Sequence, residues 1–284
     1  VTIIDTHHHL WDLSKGYAWL DEVPAIRRTF TMADLAPILA ETGVTRTILV
    51  EGGRCQESEV DEFLTLAAQH DQIAGVVGWC DIEDPRLPDD GDPESTASPE
   101  QNYNRYLVGA RSQIQGESDP EYLYRPTVLA GLRTLARRGI AFDLVVRVDQ
   151  LKACAAAAAA TPELTFVLDH LGKPSIRDGA RGLAEWRAAI EPLAKQPNVF
   201  AKLSGLVTEA DHDSWRAADL KPFVDTALDL FGPDRLMFGS DWPVCLLAST
   251  YQRWLDTLRE LLDPSLHQAV FTETATRAYK LPRT

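Results

Sequence analysis

Short runs rich in apolar and β-branched residues recur along the chain, at Thr2–Thr6, Arg46–Val50, Ile73–Trp79, Leu107–Arg111, Ala141–Val146, Leu164–Leu168, Val199–Leu203 and Leu236–Phe238. Each has the length of a single strand, and their starts recur roughly every 35 residues, close to the ~30 residues of a strand–helix–strand unit. Amphipathic patterns with a helical period fill the intervals. Glu59–His70 carries Val60, Phe63, Leu64 and Leu66-Ala67 on one face, and Val128–Arg138 is stopped by Gly139. Gln150–Ala160 is Ala-rich, Asp219–Phe231 ends at Gly232-Pro233, and Leu255–Leu262 and Ser265–Tyr279 close the chain. Eight strands alternating with helices predict an α/β protein, a (β/α)8 TIM barrel occupying residues 1–284 as a single domain. The rival, a doubly wound open sheet, lacks a glycine-rich turn after its first strand. One segment breaks the rhythm. Ile82–Tyr106, with Asp84-Pro85 and Pro88-Asp89-Asp90-Gly91-Asp92-Pro93, follows the third strand and is expected to be a solvated acidic loop or a mobile lid.

Composition narrows the partners. With 284 residues, 45% of them hydrophobic and 25% charged, the chain is ordinary globular protein, and a formal net charge of −14 argues against nucleic acid or anionic membrane. No apolar run reaches transmembrane length, and no signal-peptide pattern precedes the first strand, although the chain begins at Val1 and not at Met. Cys55, Cys80, Cys154 and Cys245 are scattered without paired spacing, as expected of reduced thiols. These features predict a cytoplasmic protein that binds a small molecule, with homo-oligomerisation left open.

In a barrel, polar residues at strand C-termini meet at one mouth. The first strand ends in His7-His8-His9, where residues two apart face the same side, so His7 and His9 converge and His8 points away. Two imidazoles on a rigid strand form a clamp for a divalent transition metal. Later strand ends carry Glu51, Trp79, Arg111 and Gln113, Asp169-His170, Lys202 and Ser204, and Ser240-Asp241-Trp242. Charge at successive strand ends is costly to bury unless paired or ligated, so a mere packing scaffold would not be expected to gather it. Several members keep two readings. Asp5 can simply turn the strand end, and His170 can be a hydrogen-bonded core histidine or part of the site. Lys202 can be salt-bridged or touch a ligand. Glu51 can be a ligating carboxylate or a partner of Arg54, and Lys173 can approach the substrate or merely shape its turn. His70, His212 and His267 are expected at the surface.

Four motifs carry a resemblance. Asp5-Thr6-His7-His8-His9-Leu10-Trp11-Asp12, Asp169-His170-Leu171-Gly172-Lys173-Pro174, Lys202-Leu203-Ser204-Gly205-Leu206 and Phe238-Gly239-Ser240-Asp241-Trp242-Pro243 resemble the amidohydrolase superfamily, in content and in order. More narrowly they resemble its branch of sugar-acid lactone hydrolases. That resemblance implies that His7, His9, His170 and Asp241 surround one divalent metal ion, zinc-like, with a metal-free mechanism as the alternative. A metal in such a site lowers the pKa of its water to about 7 and polarises the lactone carbonyl. On the same reading the catalytic residues are Asp241, as general acid and base, His170, and Arg111, which stabilises oxyanion charge or holds a substrate carboxylate. Trp11, Trp79, Lys202 and Trp242 are expected to bind the sugar. The resemblance departs at Ser112, where many relatives carry a histidine, and at Glu51, where a neutral amide is common; both touch the expected substrate pocket. No strand-four lysine is present for carboxylation, which favours one ion over two. The expected activity is hydrolysis of an aldonolactone similar to L-fuconolactone. A metal-dependent decarboxylase and a non-catalytic sugar-acid-binding barrel are the other readings.

Overall fold

The computed structural model describes residues 2–85 and 105–282; most of the loop expected to be acidic or a lid lies outside the described residues. Eight parallel strands follow one another around a barrel: β1 (Ile3–His8), β2 (Val44–Val50), β3 (Ile73–Trp79), β4 (Leu107–Ser112), β5 (Ala141–Leu144), β6 (Phe166–Leu168), β7 (Val199–Leu203) and β8 (Leu236–Phe238). The ring closes just beyond β8, where the Asp241 amide donates to the His7 carbonyl (2.7 Å) and the His9 amide donates to the Trp242 carbonyl (2.7 Å). The parallel pairing, with a helix on nearly every crossover, is the arrangement predicted from the alternation of patterns.

Two helices escape the periodicity argument, Met32–Thr42 and Gly179–Ala194. Each contains a proline, Pro37 and Pro192, which sequence reasoning treats as a breaker. The first is nevertheless well started: Thr31 Oγ1 accepts from the Ala33 amide (3.2 Å) while the Asp34 carboxylate accepts from the Thr31 amide (2.9 Å). The expected single helix Ser265–Tyr279 is broken into a 3₁₀ turn at Pro264–Leu266, a π-helical stretch at Ala269–Glu273 and an α-helix at Thr274–Ala278.

The barrel interior is built in layers. Ile4, Ile48, Val50, Val77, Ala141, Val167 and Met237 fill the lower part, sealed by Tyr279 and Leu281 from the C-terminal segment. Strand side chains alternate, so the inward positions two residues further along carry the next layer. These are Asp143 after Ala141, Asp169 after Val167 and Gly239 after Met237, joined by Lys202 of β7 and Arg111 of β4. A larger apolar cluster lies between the strands and the surrounding helices and includes Leu49, Phe142, Phe166, Trp186 and Phe238. No helix among the described residues is long and apolar enough to cross a membrane.

Candidate active site

Above the charged layer a cavity of about 310 Å³ opens at the C-terminal ends of the strands, a size that suits a small ligand. His9, Arg111, His170 and Asp241 reach it, together with Trp19, Gln113, Gln115, Lys173, Thr208 and Glu209. One ligand atom from each of His7, His170 and Asp241 lies within 4.8 Å of the others. Asp241 Oδ1 is 3.5 Å from His9 Nε2, 3.8 Å from His7 Nε2 and 3.9 Å from His170 Nε2, and the two strand-one Nε2 atoms are 3.2 Å apart.

These positions are imposed by the backbone. Asp5 Oδ1 accepts from the amides of His7 (3.0 Å) and Ser240 (2.8 Å), and Tyr251 donates to Oδ2 (2.9 Å), so one buried carboxylate ties β1 to the chain leaving β8. Asp5 therefore does more than turn a strand end. His170 and Asp241 both sit in the left-handed region, with φ of 54° and 56°, a conformation costing non-glycine residues about 1–3 kcal/mol. The His170 turn continues through Leu171 and Lys173, also at positive φ, and is held by Trp186 Nε1 donating to the Leu171 carbonyl at 2.7 Å. Lys173 thus shapes the turn and also lines the cavity.

The donor set fits a divalent ion. With metal–nitrogen bonds of about 2.0–2.1 Å, tetrahedral geometry puts ligand atoms about 3.3 Å apart; the four spacings above, 3.2 to 3.9 Å, approach that, and His7, His170 and Asp241 form the group whose ligand atoms all lie within 4.8 Å, with His9 close to two of them. His9 Nδ1 lies 3.0 Å from the Val50 carbonyl, which can only accept, so its proton is on Nδ1 and the Nε2 lone pair faces inward. His170 Nδ1 is 2.8 Å from Ser204 Oγ, which fixes the ring with Nε2 toward Asp241. Burial pushes His170 down to about 4 against the pull of Asp241 and Asp169. It also pushes His7 well below the usual histidine range, with Asp169 opposing. Both rings are therefore neutral near pH 7, as ligation requires. Burial alone would raise Asp241, but the charge that His170 takes up in the acid range outweighs it and holds the carboxylate below its ordinary value.

The other expected site residues divide. Arg111 reaches the cavity with three of its five N–H groups committed: Nε to Glu51 Oε1 (2.6 Å), Nη2 to the Glu51 carbonyl (2.8 Å) and Nη1 to Asp169 Oδ2 (2.9 Å). Glu51 is accordingly neither a ligand nor a partner of Arg54, which pairs with Glu62 at 3.1 Å; it takes Arg111 and Gln113 instead. Lys202 is fully buried beneath the site, 2.5 Å from Asp143 Oδ2 and 2.9 Å from Asp169 Oδ1, so the salt-bridged reading holds and it does not reach the cavity. Trp11 and Trp242 are also buried, in an aromatic cluster with Phe30, and neither they nor Trp79 lines the cavity. Trp19 supplies the aromatic wall instead, its Nε1 donating to the Gly52 carbonyl at 2.8 Å. Ser112 donates to the Cys80 carbonyl and likewise does not line the cavity. His8 points away, with Nε2 3.0 Å from Thr47 Oγ1.

Sequence reasoning passed over Trp19, Gln115, Thr208 and Glu209, which lie in short helical turns beyond the strand ends. It also left Asp143 unremarked, although an acid inside the apolar run Ala141-Phe142-Asp143-Leu144 is a signal for an inward charge.

Known proteins bear on this geometry. The amidohydrolase family model matches residues 4–281. An L-fucono-1,5-lactonase of Burkholderia multivorans is 36% identical, with 98% of this chain and 96% of that one aligned. A second, from Burkholderia ambifaria, is 34% identical over 99% and 96%. A crystal structure of an amidohydrolase from Burkholderia multivorans with bound zinc superposes with a TM-score of 0.88, at 35% identity, covering 99% of this chain and all of that one. The chain belongs to the amidohydrolase family.

Proposed function

We propose that the protein is a cytoplasmic hydrolase that opens the lactone ring of a sugar-derived acid, an aldonolactone of the L-fuconolactone kind. The observation that carries this reading is the convergence of His7, His9, His170 and Asp241 at the base of a small cavity, the last three of them lining it. In it, His7, His170 and Asp241, with His9 beside them, would hold one zinc-like ion. Such an ion, when bound, supplies Lewis acidity and lowers the pKa of water to about 7.

Asp241 is ionised and within reach of the reacting atoms, so its carboxylate takes a proton from the attacking water. The water oxygen bonds to the lactone carbonyl carbon, the ring C–O bond breaks, and the proton passes from Asp241 to the departing alkoxide. His9 and His170 are fixed through their Nδ1 atoms, which keeps their Nε2 atoms aimed inward. Arg111 holds Glu51 and Asp169 in place beneath the site.

The lining favours a neutral polyol over an acid. The charge of Arg111 is balanced by the carboxylates of Glu51 and Asp169, and among lining residues Lys173 is the other cation, opposed by Glu209. Gln113 and Gln115 form a chain on the opposite wall: Gln115 Nε2 donates to Gln113 Oε1 (3.0 Å) and Gln113 donates to Glu51. Their remaining amide groups, with Thr208, suit sugar hydroxyls, and Trp19 offers an apolar face.

Purified enzyme is to be screened against aldonolactones by proton release, with and without chelator. The expected result is turnover that chelation abolishes and zinc restores. His170→Asn and Asp241→Asn are each expected to lower kcat about 10²–10⁴-fold with unchanged thermal unfolding. Unchanged kcat in both variants sinks the mechanism.

A further inference from the structure

The second nitrogen of His7 has two neighbours that would set opposite tautomers. His7 Nδ1 lies 3.1 Å from Lys202 Nζ, at hydrogen-bonding geometry, and 3.2 Å from Asp169 Oδ1, a buried carboxylate oxygen that has no hydrogen-bond partner as the side chains stand and so is open to accept from the ring. An ammonium only donates, so a bond from Lys202 would leave the ring proton on Nε2, with no lone pair for a metal. A carboxylate only accepts, so a bond to Asp169 puts the proton on Nδ1 and frees Nε2. The contest is specific to His7, since His9 faces a carbonyl and His170 a hydroxyl that can play either part.

We propose that Asp169 is the positioning residue that sets the His7 tautomer, and that Asp143 and Asp169 together draw Lys202 away from the imidazole. Lys202 donates to Asp143 Oδ2 at 2.5 Å and lies 2.9 Å from Asp169 Oδ1. The ammonium gains Coulomb attraction from two carboxylates in a dry interior that a neutral imidazole nitrogen does not offer. Both carboxylates are held. Tyr279 OH lies 2.9 and 2.8 Å from the two oxygens of Asp143, and Arg111 Nη1 donates to Asp169 Oδ2 at 2.9 Å. Arg111 Nη1 also stands 3.4 Å from His7 Nε2, a donor facing the nitrogen that this tautomer leaves bare. The C-terminal segment thus reaches the site through a buried line from Tyr279 to Asp143, Lys202, Asp169 and His7. The purpose of the device rests on the metal reading above, but its tests use no lactone.

The direct test is a long-range proton–nitrogen NMR spectrum of metal-free protein labelled with ¹⁵N-histidine, with His7 assigned from its absence in His7→Gln. Protonated Nδ1 and bare Nε2 are expected in the wild type and in Lys202→Met. Proton on Nε2 in the wild type overturns the proposal, whether or not the protein binds metal. Asp169→Asn is expected to move the proton to Nε2 and to weaken zinc binding, read by chelator competition, about 10–100-fold. Adding Lys202→Met to Asp169→Asn removes the competing donor and is expected to recover most of that loss. A merely structural Asp169 would leave the double variant no better than the single one, which also overturns the proposal. Should Asp169→Asn fail to fold, the wild-type and Lys202→Met spectra still decide.

Discussion

Gly205, which follows β7, offers a perturbation that separates backbone strain from displacement of a site histidine. Its φ is +64°, and a Cβ built on it would lie 2.6 Å from His170 Nδ1 and 2.8 Å from His170 Cγ. Ordinary contact begins near 3.4 Å, so Gly205→Ala obliges the imidazole to retreat by about 0.8 Å, enough to break its 2.8 Å contact with Ser204. A misplacement near 1 Å costs about 10²-fold in rate when the displaced group must be aligned with the reacting atoms. The left-handed backbone adds about 1–2 kcal/mol of strain, worth a fall in Tm of about 2–8 °C. Gly43, which caps the helix Met32–Thr42, is the control: its φ is +74° and nothing lies within 4 Å of its added Cβ. Gly43→Ala therefore bears the backbone cost alone. The assay is kcat for lactone hydrolysis beside thermal unfolding of both variants. Both should lose a few degrees, and only Gly205→Ala should lose about 10²-fold in kcat. Equal kcat in the two variants would refute the claim that His170 must stand where it does.

Two further outcomes follow from buried charge. Burial, then the nearby charge of Glu51, raises Glu59 to about 7 against the hydrogen bonds from Tyr17 and Gly52 and the charge of Arg54. The folded protein thus holds this proton more tightly than the unfolded chain, so the stability from Glu59 is full below pH 4.5 and lost as pH rises through about 7. In urea unfolding, Glu59→Gln should gain about 2–3 kcal/mol relative to wild type between pH 4.5 and 8, and a difference independent of pH would count against the burial argument. Arg111→Met strands the carboxylates of Glu51 and Asp169 in the interior and should cost about 3–5 kcal/mol, with Glu51→Gln added to it recovering part. A loss below about 1 kcal/mol would mean that water reaches these groups.

The fold was legible because a barrel strand announces itself twice, through β-branched residues and through its spacing from the next. β3, β7 and β8 match the expected bounds, while β1 extends past Thr6 to His8 because Asp5 and Tyr251 lock the strand end. The candidate cluster was legible for a related reason, since His7, His9, His170 and Asp241 lie on or just beyond strands, where register fixes position. What escaped lies where register gives no guidance. Whether Trp11 or Trp19 faces the cavity depends on irregular turns between β1 and the first helix, and Trp11 is turned inward by its Nε1 donating to the Arg28 carbonyl at 2.6 Å. Glu51 was misassigned because its neighbour in sequence, Arg54, is not its neighbour in space; Arg111, two strands away around the barrel, is.

The layer beneath the imidazoles also bears on which ion suits them. Glu51, Asp143 and Asp169 are three carboxylates sharing one closed space with two cations, Arg111 and Lys202. Asp143 is pushed up to about 6 by burial against the charge of Lys202, so it remains mostly ionised at pH 7. The layer then carries one uncompensated negative charge, and Asp241 above it carries another. Neutral His7 and His170 contribute none. Two unbalanced negative charges on either side of the His7 ring, screened little by water, repel each other and attract any cation able to approach. A divalent ion among the Nε2 atoms cancels both, which a monovalent ion does not. The carboxylates of the barrel interior therefore favour the same occupant as the imidazoles above them, and a positive charge put in place of any of them should weaken that preference without touching a ligand.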